Sequence, residues 1–244
     1  MALLAPEDFV TQLARFEGRI LDISHPLTYA EGHLSGAHSI DRSAINTQTF
    51  ATLGITPDTP IVLMDEDGGA WAAILYWYLS LYGCTQIAYL DGGHLAWQAL
   101  GYPYTTDCPA PQSHAPLLTQ DLTVDISTDE VQTILKNPDY KLWDARSFNE
   151  YAEGHIPGAV HLEWHTLIDV QRQYRLLPLA MIEQKLQLLG LTPDKTIITY
   201  CYSHHRSAFT YMILKLLAYP HVKGYSGSWK AWHCIPSLPI EYVK

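Results

Sequence analysis

The chain repeats itself, and this duplication constrains its fold more than any other feature. Residues 20–37 contain Ile-Leu-Asp and then Tyr-Ala-Glu-Gly-His-Leu-Ser-Gly-Ala, while residues 142–159 contain Leu-Trp-Asp and then Tyr-Ala-Glu-Gly-His-Ile-Pro-Gly-Ala. Each copy continues with a Leu-Gly-x-Thr-Pro-Asp turn, a buried strand, a helix, a second strand and a Gly-containing turn before tryptophan. Similarity at so many ordered positions predicts two homologous domains.

Strand and helix patterns alternate within each copy. This alternation favours α/β domains, and we predict two doubly wound parallel-sheet domains in tandem. The expected boundaries are a first domain at residues 1–104, an extended linker rich in proline and polar residues at 105–118, and a second domain at 119–244. Ligands of such sheets bind at the carboxyl ends of the strands.

The second copy carries the strongest chemical signal between residues 195 and 217. A β-branched strand at Thr196–Tyr200 is followed by a polar loop from Cys201 to Arg206 and then by an amphipathic helix. Backbone N–H groups and the helix dipole favour a thiolate at the start of a helix. The guanidinium of Arg206 adds fixed positive charge. We therefore predict that Cys201 is a nucleophile within an anion-binding loop, the alternative being a small buried cysteine without chemistry.

The equivalent position in the first copy is Asp65, which is followed by Glu66-Asp67-Gly68-Gly69. This loop offers no thiol, and we expect its three acids to prevent it from holding an anion. The first copy is therefore predicted to keep the fold and to lack the chemistry. Cation binding is the alternative, although acids on a solvated turn are commonly plain surface residues.

Composition narrows the function classes. A net charge of −10 without a basic tract argues against nucleic acid and against anionic membranes as partners. The N-terminal residues do not have the pattern of a signal peptide and no apolar stretch is long enough to span a membrane, so the expected compartment is the cytoplasm. We also expect a monomer, because long apolar patches are absent.

Neither a metal nor a cofactor is predicted. The four cysteines, at positions 84, 108, 201 and 234, are spaced irregularly and indicate neither a zinc framework nor a disulfide scaffold. His161 and His165 have a spacing that is compatible with zinc on a helix. However, Leu162 stands where a metalloprotease would carry its glutamate, so we do not predict a metal site there.

Several motifs together resemble the two-domain rhodanese family of sulfurtransferases. They are the tandem copies, the Gly-His-Ile-Pro-Gly-Ala run at 154–159, the loop cysteine and the Gly-Ser-Trp turn at 227–229. The loop is most similar to that of bacterial thiosulfate:cyanide sulfurtransferases with paired histidines. The resemblance covers nearly the whole chain and implies two rhodanese-like domains, of which the first is inactive. It further implies that sulfane sulfur passes from thiosulfate to cyanide or a thiol through a persulfide on Cys201.

The loop differs from those of the better-known members of that family. Their thiosulfate-type loop reads Cys-Arg-Lys-Gly, and their mercaptopyruvate-type loop reads Cys-Gly-Ser-Gly. Mercaptopyruvate enzymes also tend to carry arginine before the aromatic residue that matches Tyr151, where this chain has Glu150. A 3-mercaptopyruvate sulfurtransferase is therefore the weaker alternative, and the predicted donor preference rests mainly on Arg206.

The residues of the loop and its surroundings receive predicted roles. Arg206 is expected to hold the sulfonate of thiosulfate, because its fork suits oxyanions. His204 and His205 are expected to add charge below neutral pH or to donate as neutral rings, and a structural role is equally open. Asp144 and Arg146 are expected to form a structural pair beneath the loop. The other predicted substrate-binding residues supply loop donors or a pocket wall: Tyr202, Ser203, Ser207 and Trp164.

Two functions of other kinds stay open. A cysteine phosphatase or arsenate reductase uses similar loop chemistry, but it needs one residue more between cysteine and arginine than the four residues present here, Tyr202–His205. A sulfur-carrying or interaction module would accept sulfur on Cys201 only from a protein partner. Turnover with a small donor distinguishes the enzyme from such a module.

Overall fold

A computed structural model describes residues 1–110 and 118–243 of the chain. Two compact units result: the first comprises Met1–Asp121 with Asp169–Leu176, and the second comprises Leu122–Ile168 with Leu177–Lys244. Residues 111–117 of the predicted linker lie outside the described residues.

The first unit is built on a five-stranded sheet in the order β1-β5-β4-β2-β3, in which every pairing is parallel. Its strands are β1 (Ala2–Leu4), β2 (Arg19–Asp22), β3 (Ala37–Ser39), β4 (Ile61–Met64) and β5 (Ile87–Leu90). Its helices are α1 (Pro6–Gln12), α2 (Pro26–Glu31), α3 (Thr47–Thr52), α4 (Ala70–Leu81) and α5 (Gly93–Ala99). All four residues of β4 are apolar and buried, as expected for a strand that is covered on both faces.

The second unit contains a four-stranded parallel sheet in the order β11-β10-β6-β7. In chain order its elements are α6 (Thr128–Ile134), β6 (Tyr140–Asp144), α7 (Phe148–Ala152), β7 (Val160–His161), α8 (Leu179–Leu188), β10 (Thr196–Tyr200), α9 (His205–Leu216), β11 (Val222–Gly224) and α10 (Ser228–Trp232). Two short strands, β8 (Ile168–Asp169) and β9 (Arg175–Leu176), form a separate sheet. The predicted α/β class with tandem parallel sheets is confirmed.

The duplicated motif folds in the same way in both copies. Tyr29 stacks on His33 with ring centroids 3.7 Å apart, and Tyr151 stacks on His155 at the same distance. Each tyrosine hydroxyl donates to a backbone carbonyl eight residues ahead, at 2.7 and 2.9 Å respectively. The sequence repeat therefore reflects a repeated set of contacts.

The strand order of each sheet predicts where a ligand binds, namely at the carboxyl ends of the strands. In the second unit β7 lies on one side of β6 and β10 lies on the other, so the chain reverses its direction of winding between β6 and β10. A crevice at the carboxyl ends of the strands forms at such a switch point. Cys201 follows β10 directly, and Asp144 ends β6. In the first unit the same positions belong to Asp65 and Asp22.

Part of the second copy's inserted sequence belongs to the first compact unit. In the segment 169–176, the Arg175 guanidinium pairs with Glu7 at 2.8 Å, and the Leu176 amide donates to the Asp91 carboxylate at 2.8 Å. The segment turns through Gln173 and Tyr174, both of which have positive φ. The insertion is thus an ordered part of the fold.

Candidate active site

Cys201 lies at the carboxyl end of β10, where the sequence predicts it, and the residue is 1% exposed. Its backbone is fixed on both sides by the first two residues of α10. The Cys201 amide donates to the Ser228 hydroxyl at 3.3 Å, and the Cys201 carbonyl accepts from the Trp229 amide at 2.9 Å. Both bonds engage the main chain of Cys201 and position the residue without using its thiol.

Ser228 supports the loop from an uncommon backbone conformation. Its φ is +51°, in the left-handed region that favours glycine, and its side chain is fully buried. The first copy has Gly93 at this position, with φ of +49°. A serine in this conformation places its hydroxyl between the Cys201 amide and the Tyr225 carbonyl, to which it donates at 2.8 Å. The strained conformation thus serves the cysteine loop.

The loop passes into α9 through His204, which is the N-cap residue with φ of +69°. Its Nδ1 is hydrogen-bonded to the Ser207 hydroxyl at 2.9 Å, and both residues are buried. Burial, with a smaller contribution from His205, lowers the pKa of His204 to about 3. The His204 imidazole is therefore neutral at physiological pH, which removes the predicted option of a charged ring just below neutrality.

Arg206 forms a two-point ion pair with Glu150 of α7. The two terminal nitrogens of the guanidinium donate to the two carboxylate oxygens at 2.6 and 2.7 Å. The hydrogen bond from Arg206 is the largest cause that lowers the pKa of Glu150 to about 2. The pKa of Arg206 is raised chiefly by Glu150, and Cys201 contributes through its charge and as a hydrogen-bond partner. The guanidinium therefore interacts with both Glu150 and Cys201.

A buried ion pair lies at the end of β6, as predicted. Arg146 binds the Asp144 carboxylate at 2.6 Å and donates to the Gly154 carbonyl at 2.7 Å. Its guanidinium carbon lies 4.6 Å from the centroid of the Trp229 ring. Since Trp229 also bonds the Cys201 carbonyl, this pair braces the turn that holds the cysteine.

The other predicted residues lie around the loop in different environments. Tyr202 and Ser203 are exposed, and the Tyr202 ring lies 6.3 Å from that of His233. His205 is half-buried in the first turn of α9. Trp164 is half-buried and packs edge-on against Phe209 of the same helix, with centroids 5.3 Å apart. Trp164 therefore contacts the helix that follows the loop.

The acidic loop of the first copy holds an anion after all, namely its own Asp65 side chain. The Asp65 carboxylate is fully buried and accepts from the backbone amides of Asp67, Gly69, Trp71 and Ala72, at 3.2, 2.9, 2.9 and 3.0 Å. Burial raises the pKa of Asp65 to about 6 against the opposing effect of these bonds. The loop's amides are thus occupied by one of its own acids, and the expectation that the loop binds no separate anion stays a prediction.

The loop after Cys201 resembles this one but is one residue shorter, with three residues before α9 where the first copy has four before α4. Both loops lead into a helix of 12 residues, so the amides of Arg206 and Ser207 take the positions of those of Trp71 and Ala72. Within the described residues, the Arg206 and Ser207 amides donate to no protein acceptor. Amides at the start of a helix are suited to bind an anion when no protein acceptor uses them.

The two histidines with zinc-compatible spacing do not share a helix. His161 is in β7 and is hydrogen-bonded through Nε2 to the Arg146 carbonyl at 2.8 Å. His165 is in a 3₁₀ turn, is exposed, and pairs with Glu163 at 3.1 Å. Within the described ranges, no group of three or more His, Cys, Asp or Glu side chains is arranged to hold a metal ion.

Sequence reasoning missed two residues of this site. In the sequence, Glu150 is noticeable only as a departure from a family pattern, and its ion pair with Arg206 was not predicted. The sequence signal for Ser228 is that this serine stands where the duplicated turn of the first copy has Gly93.

Among the residues that the structure describes, no helix combines the length and the apolar character that crossing a bilayer requires.

Comparisons with known proteins agree with the duplication. The model of the rhodanese-like domain matches the chain twice, at residues 5–100 and 127–234. The thiosulfate sulfurtransferase of Azotobacter vinelandii is 36% identical over 98% of this chain and 96% of its own length. The sulfur carrier protein TtuD of Thermus thermophilus is 31% identical over 91% of this chain and 90% of its own length.

The fold has a solved counterpart. The anaerobic ergothioneine biosynthesis enzyme of Chlorobium limicola superposes with a TM-score of 0.87, covering 99% of this chain and 70% of that one, at 21% identity. At this identity the similarity concerns the fold alone.

Proposed function

This chain belongs to the rhodanese family, and we propose that it is a thiosulfate sulfurtransferase which carries sulfane sulfur as a persulfide on Cys201. The observation that carries the proposal is the position of Cys201 between the end of β10 and the start of α9, with Arg206 in the first turn of that helix. The similarity to a thiosulfate sulfurtransferase over nearly the full chain supports the donor assignment.

The first half-reaction loads the cysteine. The Cys201 thiolate attacks the outer sulfur of thiosulfate, a new S–S bond forms, and the original S–S bond breaks as sulfite leaves with the electron pair. The charge then resides on the terminal sulfur of the persulfide. The amides of Arg206 and Ser207 and the nearby guanidinium stabilise this anion, because they are fixed before the charge arrives.

The second half-reaction regenerates the thiolate. Cyanide or a thiolate attacks the terminal sulfur, the persulfide S–S bond breaks, and the electron pair returns to the Cys201 sulfur. In this scheme Arg206 also contacts the sulfonate and then the sulfite, and Trp164 walls the pocket through its contact with Phe209. Tyr202, Ser203, His204, His205 and Ser207 shape the loop and supply its main-chain donors.

Steady-state sulfur transfer to cyanide tests the proposal. We expect turnover with thiosulfate, parallel double-reciprocal lines typical of a double displacement, and loss of turnover in Cys201→Ala. Cys234→Ala is the matched control, since Cys234 is an exposed cysteine outside the loop. Turnover that survives Cys201→Ala, or hydrolysis of an aryl phosphate without any sulfur transfer, would overturn the proposal.

A protein-to-protein sulfur carrier is the second candidate. The similarity to the sulfur carrier protein of Thermus thermophilus favours it, and it needs the same Cys201 persulfide. Loading of Cys201 by a cysteine desulfurase without turnover of thiosulfate would identify this role.

We also propose the setting in which the protein works. Its reactants are small anions and thiols, and its net charge of −10 does not favour nucleic acid or an anionic membrane. All four cysteines are free, which fits a reducing compartment such as the cytoplasm. We propose a monomer as the working unit, and size-exclusion chromatography with light scattering tests that state.

A further inference from the structure

We propose that a surface beside the catalytic loop docks the sulfur acceptor, and that this acceptor is a protein cysteine flanked by acidic residues. The surface consists of Tyr202 in the loop and of Trp229, Lys230 and His233 at α10, and we refer to it as the α10 surface. The inference rests on the proposed sulfur transfer at Cys201 and specifies the chemistry of the acceptor.

Main-chain bonds join the α10 surface directly to the loop of the nucleophile. The Trp229 amide donates to the Cys201 carbonyl and the Lys230 amide donates to the Tyr202 carbonyl, each at 2.9 Å. The His233 ring stacks on the Trp229 ring with centroids 5.8 Å apart, and the Tyr202 ring lies 6.3 Å from the His233 ring. A partner that contacts these side chains is therefore next to Cys201.

The side chains of the α10 surface have a composition that is typical of protein interfaces. Tyr202 is 45% exposed, Lys230 and His233 are also exposed, and Trp229 is half-buried. Tyrosine and tryptophan are enriched in interfaces, because they supply a large contact area at a small cost in conformational entropy. Cyanide is too small to use such an area, so the surface suits a macromolecular acceptor.

The distribution of charge along the chain indicates what kind of acceptor fits. Residues 195–240 contain five lysine and arginine residues and no aspartate or glutamate, whereas the rest of the chain has 10 basic and 25 acidic residues. This stretch comprises β10, the catalytic loop, α9, β11 and α10. The elements that surround Cys201 thus carry a positive charge of their own within a protein whose net charge is −10.

Lys230 provides the part of this charge that is available to a partner. The Arg206 guanidinium is already paired with Glu150 through two bonds, at 2.6 and 2.7 Å. Lys230 is exposed, and no carboxylate in the described part of the chain pairs with it. Carboxylates of a partner are complementary to this lysine and need not displace any group of this chain.

Sulfur transfer to such a partner follows the second half-reaction. The acceptor's cysteine thiolate attacks the terminal sulfur of the Cys201 persulfide, the S–S bond breaks, and the electron pair returns to the Cys201 sulfur. The acceptor leaves as a persulfide, so the step consumes neither an oxidant nor a reductant. Acidic residues beside the acceptor's cysteine pair with Lys230 and keep that cysteine at the loop.

The test measures sulfur transfer from the loaded protein to three cysteine peptides, which have acidic, neutral and basic flanking residues. The protein is incubated with thiosulfate and desalted, and mass spectrometry follows the loss of the persulfide under single-turnover conditions. Dividing the rate constant of the wild type by that of Lys230→Glu removes differences in reactivity between the peptide thiols. We expect a ratio of about 10 for the acidic peptide, which falls as salt is added, and a ratio below about 1 for the basic peptide.

Small reactants and a second lysine provide the controls. Lys230→Glu should change transfer to cyanide and loading by thiosulfate by less than about twofold, because neither reactant needs the α10 surface. Lys136→Glu makes the same change of charge at an exposed lysine just before β6, at the opposite end of the sheet from Cys201. This variant should match the wild type with all three peptides.

The outcomes separate this inference from the proposed function. Equal rates of transfer to the acidic peptide in the wild type and Lys230→Glu would overturn the docking surface, while wild-type transfer to cyanide still supported the proposed function. Equal slowing of peptide transfer and of thiosulfate loading would also overturn it, since Lys230 would then serve small anions in general. A wild type that forms no persulfide from thiosulfate would overturn the proposed function and, with it, this inference.

Discussion

The loops that follow β4 and β10 occupy the same place in the two copies and differ in what their amides hold. In the first copy the Asp65 carboxylate fills the receptor, accepting from the main chain at four points. In the second copy the residue is Cys201, whose shorter side chain leaves the corresponding amides of Arg206 and Ser207 without a protein acceptor among the described residues. The first turns of α5 and α10 make the same bond in the two copies. The His94 amide donates to the Asp65 carbonyl and the Trp229 amide to the Cys201 carbonyl, each at 2.9 Å.

This difference teaches that the anion receptor belongs to the backbone of the duplicated fold. A strand that ends at the start of a helix presents amides at one point, whatever side chains surround it. The residue at the head of the loop then decides the use of the receptor. The carboxylate of Asp65 fills the receptor in the first copy, and we propose that the thiol of Cys201 leaves it open to a sulfur atom that arrives with the substrate.

The largest expected loss of activity comes from replacing Cys201 by aspartate, the residue that the first copy has at this position. In Cys201→Asp the carboxylate should fill the amides, as Asp65 does, and sulfur transfer to cyanide should fall on the order of 10⁴-fold or more, because the nucleophile is gone. Thermal unfolding should show that the fold persists. Residual turnover of more than one part in about 100 would show that another group carries the reaction.

A second experiment removes the carboxylate from the amide cluster of the first copy. Asp65→Ala leaves buried amides without their acceptor, so we expect the free energy of unfolding to fall by about 3 kcal/mol. Urea denaturation measures this change, and Asp67→Ala, which removes a carboxylate from the same loop, should cost much less. If the two variants lost equal stability, the Asp65 carboxylate would not be the main partner of these amides.

A smaller effect is expected at the turn beneath the catalytic loop. Ser228→Gly introduces the residue that the first copy has at this position. It relieves the strain of a side chain at positive φ and removes the hydroxyl that accepts from the Cys201 amide. Loss of one such bond should lower kcat by about fivefold to tenfold. Ser226→Ala, whose hydroxyl bonds Asp125 instead, is the control and should keep its kcat. An unchanged kcat in Ser228→Gly would mean that the hydroxyl does not position the cysteine.

The two shifted groups are also expected to give opposite pH dependences of stability. The pKa of Asp65 is raised to about 6, so its contribution favours folding at low pH and is lost as pH rises through 6. The pKa of His204 is lowered to about 3, so the unfolded chain binds the extra proton and stability falls as pH drops from about 6.5 towards 3.

Denaturation at several pH values separates the two contributions. His204→Asn keeps a residue that tolerates positive φ and should reduce the loss of stability on acidification. Asp65→Ala should increase that loss. Identical pH dependences in the wild type and both variants would contradict the shifted pKa values.

Much of this arrangement is visible in the sequence, and the rest has identifiable physical reasons for being hidden. The repeat, the apolar strands and the cysteine after β10 follow from local pattern, because strand and helix periodicity are local properties. The Glu150–Arg206 pair joins residues 56 positions apart, and no pattern in one sequence links them. The buried position of Asp65 was not visible either, because counting acids does not show that a carboxylate can turn inward onto main-chain amides. The inclusion of 169–176 in the first compact unit likewise depends on tertiary contacts.

The most direct test of the account is mass spectrometry of the protein after incubation with thiosulfate, with peptides mapped under conditions that preserve persulfides. We predict a gain of one sulfur atom on the peptide that contains Cys201, and its removal by cyanide. The same treatment should leave Cys84, Cys108 and Cys234 unmodified. Sulfur on one of those three cysteines, or no added sulfur at all, would contradict the assignment of Cys201 as the group that the open receptor serves.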